Sequence, residues 1–347
     1  MTVQTLHIFI TGATGYIGGT ILTRLLKHPK SDSFKITAIV RNPEKAKQLK
    51  SLGVKVEIGS HSDPEKVEAL AAEADVVFEA ADVDDLGGTQ AVLRGLKKRH
   101  EKTGQVPILI HTSGTAVLCD NASGLHDSNT VYSDASVEQI ESLAPSQPHR
   151  EVDLAVVGAD QQGYLRSYIV LPALIWGLAT GPLVDIGVQN PHSQQIPLTI
   201  RSGLKRGKAV IVGEGKNFWP NVNIEELGDL YMIIFNKALN DAQRLPHGRE
   251  GFYFGASDEH RFADIYKTVA KALYEAGKVS SPDPAPLEKD EVEKYFGTEL
   301  MATTVMGGNS RCRADRSLSI GWTPKKGTKE MLASIKPEVE TILKESQ

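Results

Sequence analysis

The stretch Thr11-Gly-Ala-Thr-Gly-Tyr-Ile-Gly18 joins a short apolar run to a helical pattern near the start of the chain. The run before it, Leu6–Ile10, predicts a β-strand, and the pattern over Gly18–Lys27 predicts a helix. Three glycines in the spacing GxxGxxG are typical of a tight turn between a strand and a helix that pack closely together. We therefore expect the chain to open with the first half of a βαβ unit.

Strands and helices alternate strictly after this turn. Four further apolar runs, with helical patterns between them, predict strands at Lys35–Val40, Val54–Ile58, Asp75–Glu79 and Ile108–His111. Strict alternation indicates parallel pairing, because two parallel strands must be joined by a crossover connection. The runs are continuously apolar, as expected for a sheet that is covered on both faces. The pattern predicts an α/β fold with a doubly wound parallel sheet of the Rossmann type.

The strict alternation of strands and helices ends in the second half of the chain. A sixth strand is predicted at Tyr168–Leu171, and the segment Leu178–Pro197 is rich in Gly and Pro and predicts a loop. The later elements are too few and too scattered for a second doubly wound domain. We predict a Rossmann domain over residues 1–175 and a smaller C-terminal α+β substrate domain over residues 176–347, with an interleaved boundary.

Composition excludes several classes of protein. The 347 residues carry 39 Lys and Arg against 43 Asp and Glu, a net charge of −4, which gives no support to nucleic-acid binding as the main task. No apolar stretch approaches the roughly 20 residues of a membrane span. The first ten residues lack a basic region, so we expect no signal peptide and a cytosolic location. The histidines and cysteines show no metal-ligand spacing, and no metal site is predicted.

The glycine turn also predicts a ligand. A helix that begins at such a turn presents free backbone N–H groups and a partial positive charge, which suit the pyrophosphate of a dinucleotide. The predicted contacts come from the turn and the first helical residues: Gly12, Thr14, Gly15, Tyr16, Ile17 and Gly18.

The residue after the second strand indicates which dinucleotide binds. Arg41 stands where an acidic residue would bind the 2′-hydroxyl of NAD, and its guanidinium suits a 2′-phosphate, so we expect NADP(H). Asp63 has two readings, a contact to the adenine amino group or an N-cap for the helix that starts at Pro64. Ala80, at the end of the fourth strand, joins the predicted cofactor contacts.

Several motifs in order resemble the extended short-chain dehydrogenase/reductase superfamily. The glycine turn resembles its TGxxGxxG loop, and His111-Thr-Ser-Gly114 resembles the end of its fifth strand, where a catalytic Ser stands. Leu171–Gly177 resembles its RPxxxYG segment, and Ile320–Pro324 resembles its LGWxP motif. The resemblance implies a cofactor domain followed by a substrate domain. It places Ser113 in the catalytic site, with Thr112 and Pro172 beside the nicotinamide.

The chain departs from the superfamily at its YxxxK motif. By distance to Pro172, His149 stands where the Tyr would be, and Asp153 stands where the Lys would be. The Tyr transfers a proton at the substrate oxygen, and the Lys lowers the pKa of that Tyr and holds the ribose. A histidine can act as a general acid near neutral pH, and Asp153 can accept hydrogen bonds from the ribose. The alternative is a helix cap at His149 and a solvent-facing Asp153.

Three residues are therefore candidates for catalysis. Ser113 can hydrogen-bond a developing oxyanion but is too weak an acid to supply the proton alone. Tyr132, in the long polar segment after Ser113, can fold over the nicotinamide as a proton donor or simply pack. His149 is the other candidate donor. We expect an NADP(H)-dependent oxidoreductase acting on a small or medium organic carbonyl, imine or activated alkene. The alternative is a protein that binds NADP(H) without redox turnover, as an NmrA-like sensor or an isomerase or cyclase scaffold.

Overall fold

The structure is a computed structural model that describes residues 5–346. Over this part the chain forms short and long strands, at β1 Leu6–Ile10, β2 Phe34–Val40, β3 Lys55–Ile58, β4 Val76–Glu79, β5 Ile108–Thr112, β6 Tyr132–Ser133, β7 Arg166–Pro172, β8 Leu174–Trp176, β9 Val210–Ile211, β10 Phe218–Asn223, β11 Phe252–Gly255, β12 Asp258–Arg261, β13 Ala285–Pro286 and β14 Cys312–Arg313.

The α-helices lie between these strands and at the end of the chain, at α1 Tyr16–Leu26, α2 Pro43–Ser51, α3 Pro64–Ala71, α4 Leu86–Thr103, α5 Val137–Glu141, α6 Arg150–Gln161, α7 Pro182–Asp185, α8 Gln195–Arg206, α9 Ile224–Asn240, α10 Phe262–Glu275, α11 Val292–Phe296, α12 Asp315–Ser319 and α13 Thr328–Glu345. Within residues 5–346, no helix combines the length and the apolar character that a membrane crossing requires.

Seven strands form one sheet in the order β3-β2-β1-β4-β5-β7-β11, and every neighbouring pair is parallel. The predicted doubly wound α/β fold is confirmed. The central strand β1 is buried on both faces: its residues Ile8, Phe9 and Ile10 are each at most 1 % exposed. Residues that follow one another in a strand point to opposite faces of the sheet. In β5, His111 faces α6 and Thr112 faces α9, so these two helices cover opposite faces.

The C-terminal half contributes to both parts of the molecule. Helix α9 and strand β11 pack into the core of the parallel sheet, while α8, α10 and α13 enclose a second core. A three-stranded sheet, β12-β10-β8, borders this second core. Strand β11 forms the edge of the parallel sheet beside β7.

The long segment between β5 and α6 is held in place by a buried carboxylate. Asp134 accepts hydrogen bonds from the backbone N–H groups of Phe254, Arg316 and Ser317, at 3.0, 2.7 and 3.1 Å. Strand β6 also pairs with β14 near the C-terminus. The segment is therefore attached to both β11 and α12.

The turn between β1 and α1 packs against backbone on two sides. Gly12 has a φ of +69°, and a Cβ atom there would lie 2.2 Å from the carbonyl oxygen of Ala80. A Cβ atom on Gly18 would lie 2.2 Å from the carbonyl oxygen of Gly12. Neither contact can be relieved by a side-chain movement, because both neighbours are backbone atoms. Glycine is therefore required for the close approach of β1, α1 and β4.

We expect Gly18→Ala to lower the free energy of unfolding by about 2 kcal/mol or more, because the new methyl group overlaps backbone. The matched control is Gly158→Ala in α6, where a Cβ atom would meet nothing within 4 Å. This control should stabilise the protein by up to about 1 kcal/mol, since alanine favours helix. Urea unfolding of both variants measures the two effects, and equal stability of Gly18→Ala and the wild type would contradict the packing argument.

Candidate functional site

The N-terminus of α1 forms a cradle without side chains at the carboxyl edge of the sheet. Its N-cap is Gly15, no side chain caps the helix, and its first turn has no acidic residue. The first N–H groups of a helix have no partner within the helix and carry partial positive charge. Because residues 12, 15 and 18 are glycines, backbone atoms form the surface of the turn at these positions. The residues present thus fit the pyrophosphate of a nicotinamide dinucleotide.

The side chain of Tyr16 joins the glycine turn to the segment after β8. It is buried, and its hydroxyl donates a hydrogen bond to the carbonyl oxygen of Gly177. Gln189 donates from Nε2 to the Tyr16 carbonyl at 3.0 Å, and the N–H of Asn190 donates to the Thr14 carbonyl at 3.0 Å. The segment after β8 is therefore attached to the glycine turn. Only the backbone of Tyr16 is placed to contact a pyrophosphate.

Two further predicted cofactor residues lie at the ends of β2 and β3. Arg41 is exposed directly after β2. Asp63 is the N-cap of α3: its Oδ1 accepts from the N–H of Lys66 at 3.4 Å, and its Oδ2 lies 3.3 Å from the Lys66 ammonium. The structure therefore supports the capping role of Asp63, and these bonds account for the residue without an adenine contact.

The ends of β4 and β7 border the same edge. Ala80 follows β4, and its N–H donates to the Thr11 hydroxyl at 3.2 Å, which holds the end of β4 on the glycine turn. Pro172 is the buried last residue of β7 and lies opposite Gly255 of β11. Ile17 is half-buried in the first turn of α1.

Thr112 was predicted as a cofactor contact, but its hydroxyl is bonded within the protein, to a tyrosine of α9. Its Oγ1 lies 2.8 Å from the hydroxyl of Tyr231 on α9, and both groups are buried. Burial raises the pKa of Tyr231 far above its ordinary value, so this phenol keeps its proton. The pair joins β5 to α9 on the face of the sheet opposite His111.

His149 stands over the end of β5. A Cβ atom on Gly114 would lie 3.3 Å from both Cδ2 and Nε2 of His149, so the imidazole packs against the backbone after Ser113. Its Nδ1 lies 2.8 Å from Oδ1 of Asp84 in the loop after β4. His149 is the N-cap of α6, but its side chain makes no capping bond. The imidazole therefore points to the site instead of the helix.

The backbone of His149 is strained, with a φ of +67°. Only glycine adopts this region readily, and a non-glycine residue there costs about 1–3 kcal/mol. The hydrogen bond from His149 lowers the pKa of Asp84, so the carboxylate stays ionised beside the imidazole. The Asp84–His149 pair fixes Nδ1 and leaves Nε2 as the nitrogen nearest to Ser113 and Gly114.

Asp153 was predicted either to face solvent or to accept hydrogen bonds from the ribose, and both roles require an exposed side chain. It is 0 % exposed on the face of α6 turned to β5. Burial raises the pKa of Asp153, and His111 and Ser113 oppose that rise. Ser113 lies at the end of β5 with its N–H bonded to the Val170 carbonyl at 2.8 Å. Its buried hydroxyl has no hydrogen-bond partner within residues 5–346.

Tyr132 lies in strand β6, where its N–H bonds to the Arg311 carbonyl at 3.0 Å. Its half-buried ring packs against the core of the parallel sheet. Strand pairing holds this residue in place, so it is not free to fold over the nicotinamide as the prediction required.

Sequence reasoning missed the partners of the two histidines. Glu79 and His111 lie directly opposite each other on β4 and β5, and His111 Nδ1 lies 2.7 Å from Glu79 Oε2. The signal was available, because a charged or polar residue ended each of two adjacent apolar strands. Asp84 gave no such signal, since the loop that holds it carries several acidic residues.

Comparison with known proteins agrees with this geometry. Residues 12–117 match a family model described as NAD(P)H-binding. Over 339 residues, 92 % of this chain and 93 % of the relative, the sequence is 28 % identical to the oxidase ucsJ of Acremonium sp. Over 186 residues, 50 % of this chain and 51 % of the relative, it is 25 % identical to the 4-hydroxy-2-methyl-3-oxo-4-farnesyl-3,4-dihydroquinoline-1-oxide ketoreductase of Stigmatella aurantiaca.

A solved structure shares the fold over nearly the whole chain. The dTDP-glucose 4,6-dehydratase of Bacillus anthracis str. Ames, in complex with NAD, has a TM-score of 0.65 and 16 % identity, covering 97 % of this chain and 97 % of its own. The residues that match the NAD(P)H-binding family model include strands β2 to β5 of the Rossmann-type sheet. The UDP-glucose 4-epimerase of Thermotoga maritima shares the same fold, with a TM-score of 0.64 and 15 % identity over 99 % of this chain and 100 % of its own.

We expect Thr112→Val to lower the free energy of unfolding by about 1–3 kcal/mol, because it leaves the buried Tyr231 hydroxyl without a partner. Affinity for NADPH should stay the same, since the Thr112 hydroxyl points to α9. The double variant with Tyr231→Phe should recover part of the lost stability. Urea unfolding and fluorescence titration measure the two quantities, and a tenfold loss of NADPH affinity in Thr112→Val would restore Thr112 as a cofactor contact.

Proposed function

We propose that the protein is an NADP(H)-dependent oxidoreductase that reduces a small or medium organic carbonyl, imine or activated alkene, with His149 as the proton donor. The observation that carries this proposal is the Asp84–His149 pair beside Ser113, where the superfamily has its Tyr. A carboxylate on one imidazole nitrogen orients the ring and leaves the other nitrogen for proton transfer. The ketoreductase and oxidase similarities support redox chemistry of this general kind.

The backbone strain at His149 supports the same role. A strained non-glycine residue persists only where its surroundings hold it, and such residues cluster at functional sites. In the described part of the chain only Ser123 and His149 are non-glycine residues with positive φ. A residue that merely capped α6 would need neither the strain nor the bond to Asp84.

Ser113, His149 and Asp84 then have different roles in the reduction. When bound, the reduced nicotinamide supplies a hydride to the electrophilic carbon. The Ser113 hydroxyl donates a hydrogen bond to the oxygen that becomes negative. His149 transfers a proton from Nε2 to that oxygen, while Asp84 holds Nδ1 and orients the ring. Tyr132 is the weaker candidate, because β-pairing fixes its backbone elsewhere.

The preference for NADP(H) rests on Arg41. We expect NADPH to bind more tightly than NADH, and Arg41→Ala to weaken NADPH binding about tenfold or more, because a charge-assisted hydrogen bond is lost. NADH affinity should stay unchanged. The control is Lys47→Ala, which removes an exposed positive charge from α2 without touching the end of β2. Isothermal titration measures all affinities, and equal binding of both cofactors to the wild type would contradict the role of Arg41.

The proton donor is tested once a substrate is known. A panel of carbonyls, imines and activated alkenes, followed by NADPH absorbance, first identifies a substrate. We expect His149→Gln to lower kcat by about 10²–10⁴-fold at saturating NADPH, because a general acid is lost. Ser113→Ala should also lower kcat, whereas Tyr132→Phe should retain it.

Two results would overturn parts of this proposal. Full activity in His149→Gln, together with loss in Tyr132→Phe, would transfer the donor role to Tyr132. Tight NADPH binding with no turnover across the panel would favour the non-redox alternative, in which the protein senses the cofactor or holds it for isomerisation or cyclisation.

A further inference from the structure

A buried guanidinium lies at the start of α6, directly after His149. Arg150 is the first residue of this helix and is only 4 % exposed. Its Nε is fully buried and has no hydrogen-bond partner, and within residues 5–346 no carboxylate forms an ion pair with its side chain. An arginine cannot be deprotonated in a protein. The positive charge of Arg150 is therefore permanent and lacks a counter-ion from this part of the chain.

Two carboxylates lie close enough to affect Arg150, but neither pairs with it. Burial lowers the pKa of Arg150, and the charges of Asp153 and Glu141 oppose that change. Both oxygens of Glu141 already accept hydrogen bonds from the guanidinium of Arg249, each at 2.9 Å. Asp153 lies three residues further along α6 and makes no ion pair with Arg150 in the described structure. The guanidinium thus remains free to bind another anion.

An unpaired charge inside a protein is costly, and buried arginines are normally paired. A side chain of this kind is best explained by an anion that binds from outside. Only Nε is closed off from solvent, whereas the two Nη atoms keep the small exposure that remains to the residue. An anion that arrives at this opening can therefore reach the end of the guanidinium.

The cofactor does not provide this anion. Its pyrophosphate fits the glycine turn after β1, and under the proposed function its 2′-phosphate binds Arg41 after β2. The start of α6 lies over the end of β5, where His149 packs on Gly114, and β5 is two strands away from β1. Neighbouring strands are about 4.8 Å apart, so α6 begins about 10 Å from the glycine turn. The anion must come from a second ligand, which is the substrate.

Arg150 belongs to the same part of the site as the proposed proton donor. Burial raises the pKa of Asp153, and the groups that oppose this rise include Ser113, His149 and Arg150. All three therefore lie around one carboxyl group at the end of β5. The Cα atoms of His149 and Arg150 are about 3.8 Å apart, as in any two consecutive residues. One small molecule can therefore contact both side chains.

We propose that Arg150 binds a carboxylate of the substrate, and that the protein reduces an oxo acid, a carbonyl compound that also carries a carboxylate. The assignment of the substrate as an oxo acid rests on the proposed function. The planar guanidinium matches a carboxylate through two parallel hydrogen bonds. The small opening at Arg150 suits this flat group better than a tetrahedral phosphate. A carboxylate held there fixes the position of the carbonyl oxygen relative to His149 and Ser113, which favours proton transfer.

The stability of the free protein tests whether Arg150 is reserved for a ligand. We expect Arg150→Met to leave the melting temperature unchanged or to raise it by about 2–4 °C, because an unpaired buried charge is removed. The matched control is Arg99→Met, which should lower the melting temperature, since Arg99 forms an ion pair with Asp75. A fall in Arg150→Met as large as that in Arg99→Met would show that Arg150 has a structural role, and it would overturn the inference.

Binding of simple anions tests the carboxylate site without turnover. We expect valerate to bind to the NADP⁺-loaded wild type about tenfold or more tightly than its neutral amide, valeramide, because charge-assisted hydrogen bonds form. In Arg150→Met the two should bind equally weakly. Isothermal titration measures these affinities. Equal binding of valerate and valeramide to the wild type, or no binding of valerate, would overturn the site whether or not the variant folds. Tighter binding of butylphosphonate than of valerate would overturn the choice of a carboxylate.

Kinetics test the substrate class. The oxo acids of the substrate panel, among them acetoacetate and levulinate, are each compared with their methyl esters. We expect kcat/KM to be about 10–100-fold higher for the acid than for its ester, and Arg150→Met to remove this preference chiefly by raising KM for the acid. Activity toward the ester should change little in this variant, because the ester carries no charge for Arg150 to bind.

The outcomes separate this inference from the proposed function. If the wild type reduces esters as well as or better than acids, the proposed function stands and the oxo-acid inference fails. If the wild type reduces nothing, the proposed function fails and the oxo-acid assignment fails with it. The carboxylate site at Arg150 then stands only if valerate binds more tightly than valeramide and Arg150→Met removes the difference.

Discussion

Backbone packs directly on backbone where the β1–α1 turn meets the end of β4, and the rest of the site depends on this contact. Because Gly12 and Gly18 carry no side chains, the first turn of α1 lies directly on the carboxyl edge of the sheet. Strands β4, β5 and β7 are neighbours and end at that same edge, so Ala80, Ser113 and Pro172 lie along it. The segment after β8 then attaches to α1 through Gln189 and completes the cleft from the other half of the chain.

Two imidazole–carboxylate pairs lie near the carboxyl end of β5. His149 is bonded through Nδ1 to Asp84, and His111 is bonded through Nδ1 to Glu79. The Nε2 of His149 packs against Gly114 after β5, and the Nε2 of His111 faces Asp153 on α6. A lysine stabilises a tyrosinate and so makes the phenol a stronger acid, whereas a carboxylate stabilises the protonated imidazole. The Glu79–His111 pair is buried, whereas in the other pair the exposed Asp84 carboxylate meets the half-buried His149 imidazole.

Much of the fold was predictable because the burial of a strand shows in the apolar character of its own residues. A strand covered on both faces must be apolar throughout, and all five strands predicted in the first half coincide with β1 to β5 within one residue at each end. The glycine spacing and the cap at Asp63 are also local, since a turn and a helix start involve only neighbouring residues. The buried surroundings of the Tyr16, Thr112 and Asp153 side chains could not be predicted, because each depends on a helix or segment distant in sequence that packs against it.

The sequence by itself determined the alternation of strands and helices, the glycine turn and the loss of the Tyr–Lys pair. Only the tertiary structure decided which polar side chains meet. Asp84 and His149 are 65 residues apart, and Thr112 and Tyr231 are 119 residues apart. Periodicity specifies which side of an element is buried, but it does not specify the neighbour on that side. The neighbour is set by strand order and by the face on which each helix packs, and these follow from the packing of the whole core.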